Sequence, residues 1–179
     1  MTTVFLIHGA YGKPNEHWFP WLKQQLESAG HQVIAPVFPT PEGHTLKNWL
    51  TVFKEIESQF SSDVIIVGHS MAPAFLLTLL ETHQVRAAFF VGGFIGPLGL
   101  PAFDPMNSSF TEREFNWVTI RAHCKHFTLF NSTDDPYVPL EKGRELAKKL
   151  EGEFIEVENV KHFGMKEFPL LLEKIKLVL

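Results

Sequence analysis

Gly68-His69-Ser70-Met71-Ala72 follows the apolar run Val64–Val67 and leads directly into Pro73. A buried strand that runs into a serine and then into a helix is nearly the Gly-x-Ser-x-Gly elbow, whose sharp turn lifts the hydroxyl clear of a sheet. Four apolar residues before Gly68 suit a strand covered on both faces. Gly68 relieves the turn where a Cβ would crowd the next segment. Pro73 falls in the first turn of the following helix, where its missing N–H costs nothing. Ala72 stands where the pattern has its second glycine.

A serine hydroxyl attacks only when a base removes its proton, and the base needs a carboxylate to hold its tautomer. The chain supplies both after later strands. Asp134-Asp135-Pro136 follows the apolar segment His126–Phe130, and His162 follows Glu153–Glu158. Ser70, Asp135 and His162 are the expected nucleophile, acid and base. Asp135 is preferred to Asp134 because Pro136 biases it toward extended backbone, in which neighbouring side chains point to opposite faces. The small-residue loop His8-Gly9-Ala10-Tyr11-Gly12 ends the first strand, so the N–H groups of Ala10 and Met71 are the expected oxyanion donors.

Other chemistries fit less well. His8, His69, His123, His126 and His162 show neither a His-x-x-x-His helix face nor a Cys pair, so no metal is expected. Gly92-Gly93 lacks the Gly-Lys-Ser/Thr ending of a phosphate loop, and no cofactor is expected. Cys124 reads as the buried end of a helix, not as a nucleophile.

The elements that must position these groups alternate along the chain. Strands are read at Val4–His8, Gln32–Phe38, Val64–Val67, Val85–Val91, His126–Phe130 and Glu153–Glu158. Helices are read at Trp18–Ala29, from Leu46 to Phe60, at Ala72–Leu80, at Leu140–Leu150 and from Pro169 to Leu179. Ser109-Phe110-Thr111-Glu112 reads as a capping box opening a further helix that reaches about Cys124. Six strands with intervening helices imply right-handed crossovers and an α/β fold, a six-stranded parallel sheet with helices on both faces. Residues 92–123, whose first half is rich in Gly and Pro, are expected to form a loop and short lid-like helix beside the site.

The 179 residues are most simply one domain, 1–179, with room for one sizeable core. A net charge of −4 argues against nucleic acid, and no polybasic stripe points to a membrane surface. With a single cysteine no intrachain disulfide forms, and the N-terminus lacks a basic flank and a long apolar run. A cytoplasmic location is the expectation, and no protein partner is indicated. Seventeen phenylalanines and four tryptophans suggest a well-filled core; Phe94, Phe103, Phe110 and Trp117 lie where they would line an acyl pocket or pack a lid.

The chain resembles the small serine hydrolases related to retinoblastoma-binding protein nine and bacterial YdeN. The likeness is carried by His17-Trp18-Phe19-Pro20-Trp21-Leu22, Gly68-His69-Ser70, Glu81-Thr82-His83, Phe115-Asn116-Trp117, Ser132-Thr133-Asp134-Asp135-Pro136 and His162-Phe163. It implies a single-domain α/β-hydrolase fold without the first strands of larger hydrolases and without a large cap. It selects the aspartate before proline, Asp135, as the acid and His162 as the base. Cleavage of small carboxylic esters through an acyl-enzyme is the resulting expectation, with amides or thioesters as variants. A protein-interaction module on a hydrolase scaffold, and lyase or perhydrolase chemistry with the same residues, stand as alternatives at this point.

Overall fold

The computed structural model describes all 179 residues. Its strands are β1 (Thr3–Ile7), β2 (Gln32–Ile34), β3 (Ile65–His69), β4 (Ala87–Val91), β5 (Phe127–Ser132) and β6 (Glu153–Val157). They form one sheet in the order β2-β1-β3-β4-β5-β6, and every pair is parallel. The helices are α1 (Phe19–Ser28), α2 (Leu46–Ile56), α3 (Ala72–Leu80), α4 (Asp104–Thr111), α5 (Trp117–His123), α6 (Leu140–Leu150) and α7 (Pro169–Lys176), with a short 3-10 turn at Glu57–Gln59. The single-domain α/β architecture read from the sequence is the one observed.

Alternation along the strands divides the core in two. Phe5, Ile7, Ile66, Ala88, Phe90 and Leu129 face α2, α3, α5 and α6, the side that also holds Trp49, Phe75 and Leu146. Val4, Leu6, Ile65, Val67, Phe89 and Phe130 face α1 and α7 through Leu22, Leu26, Leu171 and Ile175. With both faces covered, the interior strands are predominantly apolar, as a parallel sheet requires. The edge strand β6 differs: Ile155 and Val157 are half-buried while Glu153 and Glu156 are exposed.

Two sequence readings are corrected. The strand expected over Gln32–Phe38 stops at Ile34. Pro36 has no N–H to continue the ladder, and the N–H of Phe38 donates to Nε2 of His8 at 3.0 Å instead of to a strand. The single helix expected from Ser109 to about Cys124 is two helices. Asp104 and Pro105 open α4, and Ser109 lies in its last turn, where its Oγ accepts the Leu46 N–H at 3.1 Å. The cap of α5 is Asn116, whose side chain accepts the Thr119 N–H at 3.1 Å.

Candidate active site

The parallel sheet delivers the carboxyl ends of β1, β3, β4, β5 and β6 to one edge, where open α/β sheets place their ligands. Ser70 follows β3 with φ of +62°, a left-handed conformation that a non-glycine residue holds only under tertiary constraint. The constraint is visible. The Ser70 N–H donates to the carbonyl of Val91 at the end of β4, 2.8 Å away, and α3 starts two residues later. A Cβ on Gly68 would lie 2.8 Å from Leu76 Cδ1 and 3.1 Å from the Pro73 nitrogen, so only glycine lets α3 pack this close to β3. Ala72 is fully buried in the core cluster around α3.

His162 and Asp135 converge on the serine. The Ser70 hydroxyl lies 2.9 Å from His162 Nε2, and His162 Nδ1 lies 2.6 Å from Asp135 Oδ2. The Asp135 side chain is 1% exposed, against 20% for that of His162. Its Oδ1 accepts the N–H groups of Tyr137 and Val138 at 2.9 and 3.0 Å, so the carboxylate is fixed by the turn that opens α6. Asp134 points elsewhere. It accepts the Ser132 hydroxyl at 2.7 Å and the Lys161 N–H at 2.9 Å, and these hydrogen bonds hold its carboxyl below the usual range. The two neighbouring aspartates therefore divide the work: one meets the imidazole, the other ties down the loop that carries it.

That loop is anchored from several sides. Phe163 is fully buried against Phe168 on the α1–α7 face. Gly92, at φ of +59°, passes beneath the His162 ring, where a Cβ would come 3.3 Å from Cε1. His69 Nε2 donates to the His162 carbonyl at 3.0 Å. Burial, and secondarily the neighbouring His162, hold the His69 imidazole well below its ordinary value, so it serves as a neutral donor.

His8 plays a similar part at the end of β1. Phe38 donates to its Nε2, so the ring proton is on Nδ1 and is donated to the Gly9 carbonyl 2.8 Å away. Burial lowers the pKa of this histidine too. The loop it pins carries Ala10, whose N–H donates to nothing within the protein, and the Met71 N–H beside Ser70 is equally uncommitted. The sequence places His8 at the head of the small-residue loop and His69 within the elbow, without assigning either a positioning part. Their place directly after strand residues, next to Gly9 and Ser70, was the available sign of a second role.

A cavity of about 250 Å³ opens onto Ser70 and His162. Its walls are Ala10, Tyr11, Phe94, Leu98, Leu100, Phe103, Asn107, Tyr137 and Val138. Phe94 and Phe103 thus line it, whereas Phe110 is buried in the core and Trp117 lies under the Lys149 ammonium away from the cavity. Residues 97–100 hold their shape because the Asp104 carboxylate accepts the N–H groups of Leu98, Gly99 and Leu100 at 2.8, 2.7 and 3.0 Å. A second, polar cleft of about 170 Å³ also reaches Ser70 and His162, past Lys13, Glu16 and His17.

Residues 4–175 match the family model described as serine hydrolase. The chain belongs to the serine hydrolase family. It is 32% identical over 163 residues to the rat serine hydrolase RBBP9, covering 90% of this chain and 86% of that one. The crystal structure of the ydeN gene product of Bacillus subtilis superposes with a TM-score of 0.91 at 27% identity, covering 99% and 98% of the two chains. Est1E from Butyrivibrio proteoclasticus, at 17% identity and a TM-score of 0.76 over 98% of this chain and 85% of its own, shares the fold. This serine hydrolase has no helix long and apolar enough to cross a membrane.

Proposed function

We propose that the protein hydrolyses small carboxylic esters through an acyl-enzyme on Ser70. The observation that carries this reading is the hydrogen-bonded series from the Ser70 hydroxyl to His162 Nε2 and from His162 Nδ1 to Asp135, at 2.9 and 2.6 Å. In the proposed reaction His162 takes the serine proton as Oγ attacks the acyl carbon, then returns it to the departing alcohol. Asp135 fixes the tautomer with the free nitrogen toward Ser70 and stabilises the imidazolium as it forms. The Ala10 and Met71 N–H groups, free of other acceptors, receive the negative oxygen of the tetrahedral intermediate. Water then repeats the sequence on the acyl-enzyme with the same proton shuttle.

The two openings onto Ser70 support an orientation for the substrate. The apolar cavity suits the acyl chain, which must stay in place between the two half-reactions. The polar cleft past Lys13, Glu16 and His17 suits the leaving alcohol and the incoming water. A cavity of about 250 Å³ fits a short or medium acyl group better than a long one.

A fluorophosphonate is expected to label Ser70, and Ser70→Ala to lose both labelling and turnover of p-nitrophenyl esters, by several orders of magnitude in kcat, while remaining folded. Undiminished esterase activity in Ser70→Ala would refute the proposal. A series of acyl lengths assigns the preferred chain.

A further inference from the structure

The apolar cavity contains one buried polar side chain that the proposed reaction does not use. Asn107, on α4, lines the cavity and is 4% exposed. The two tyrosines of the lining, Tyr11 and Tyr137, stand at the mouth and are 54% and 45% exposed. Asn107 Oδ1 lies 3.2 Å from Nε2 of His44, whereas its Nδ2 has no partner in the protein and is not sealed within the core.

His44 explains which way the amide faces. It is buried between Trp49 and Phe110, with ring centroids 5.4 and 4.9 Å away, and burial lowers its pKa, so it is neutral and carries one ring proton. Its Nδ1 has no hydrogen-bond partner. The Asn107 oxygen, not its NH₂, faces His44 Nε2, and an amide oxygen can only accept there. A bare nitrogen is tolerated in such a place more readily than an N–H without an acceptor. The proton is therefore on Nε2 and is donated to Asn107 Oδ1, which turns the Asn107 NH₂ away from His44. A buried histidine and asparagine in an aromatic core are a costly way to build a wall, and the Asn107 NH₂ is left available to an acceptor that enters the cavity.

We infer that Asn107 is a specificity-determining residue, and that the preferred acyl chain is apolar along its length but carries an acceptor oxygen, a ketone or an ether, opposite the Asn107 NH₂. The inference rests on the ester-hydrolase reading above, with the acyl group in this cavity. It adds to that reading a class of substrate: oxo- or oxa-substituted short acyl esters in place of plain fatty ones.

The test compares p-nitrophenyl hexanoate with its keto analogues, bearing the ketone at the fourth or the fifth carbon. For each analogue the ratio of kcat/KM to that of the plain ester is measured in the native protein and in Asn107→Leu, so that intrinsic reactivity cancels. The native ratio is expected to exceed the variant's by about tenfold for at least one analogue, the discrimination of one buried hydrogen bond. Should Asn107→Leu not fold, Asn107→Asp keeps the oxygen that faces His44 and replaces the donor by an acceptor; its ratio is expected to fall below that of the native protein. Equal ratios in native and variant enzyme, with Ser70 still labelled by a fluorophosphonate, would overturn the role of Asn107 and leave the hydrolase reading standing. Absence of labelling in the native protein would remove the hydrolase reading, and this inference with it.

Discussion

His69 donates its Nε2–H to the backbone carbonyl of His162 across 3.0 Å, with the two imidazoles 4.9 Å apart and tilted by 37°. The residue next to the proposed nucleophile thus grips the main chain of the proposed base and ties the elbow to the histidine loop.

Loss of that grip is expected to lower kcat more than it raises KM, because it disturbs the attacking geometry and not the acyl cavity. His69→Phe fills the space but cannot donate; a fall of about 10- to 100-fold in kcat is expected from a small misplacement of the imidazole. His69→Gln carries an N–H and should retain more activity than His69→Phe. Steady-state kinetics of both variants on one ester provide the check, and full kcat in His69→Phe would reduce the contact to packing.

The two adjacent aspartates give a sharper contrast. Asp135→Asn leaves the shape intact but removes the charge facing His162 Nδ1, and kcat is expected to drop by about 10³- to 10⁴-fold. Asp134→Asn can still accept from Lys161 and Ser132, so a change within about tenfold is expected. The reverse ranking would move the acid to Asp134.

Stability should decline on mild acidification. His8, His44 and His69 are all held below the ordinary imidazole value of 6.5, chiefly by burial. Below that pH the unfolded chain binds protons that the folded protein refuses, so stability is full above about pH 6.5 and is lost as the pH falls beneath it. Each such histidine contributes a slope of up to about 1.4 kcal/mol per pH unit. Urea midpoints between pH 8 and pH 5 measure it, and His69→Gln should flatten the curve. An identical slope in that variant would exclude His69 as a source.

Much of this arrangement was legible before any coordinates. The strands were readable because a doubly covered parallel sheet makes apolar runs, and α6 was readable to its ends because Pro139 and the charged outer face bound it. Ser70, Asp135 and His162 could be proposed because each follows a strand, and the sheet brings such residues to one edge. What escaped depended on tertiary choices. Ser109-x-x-Glu112 has the residues of a capping box, but Asp104 had already opened a helix upstream, so Ser109 Oγ serves Leu46 instead. β2 stops before Pro36, whose missing N–H the sequence does show, and the Phe38 N–H beyond it goes to His8. Phe38, Asn107 and the His162 carbonyl, which meet His8, His44 and His69, lie far along the chain, and local spacing carries no sign of them.

The left-handed backbone at Ser70 bears on how this protein responds to laboratory evolution. Glycine or asparagine adopts that conformation with less strain than serine, so a library screened for heat resistance alone should drift toward Gly or Asn at position 70. On the proposed mechanism, a screen that also scores turnover is what holds the hydroxyl there.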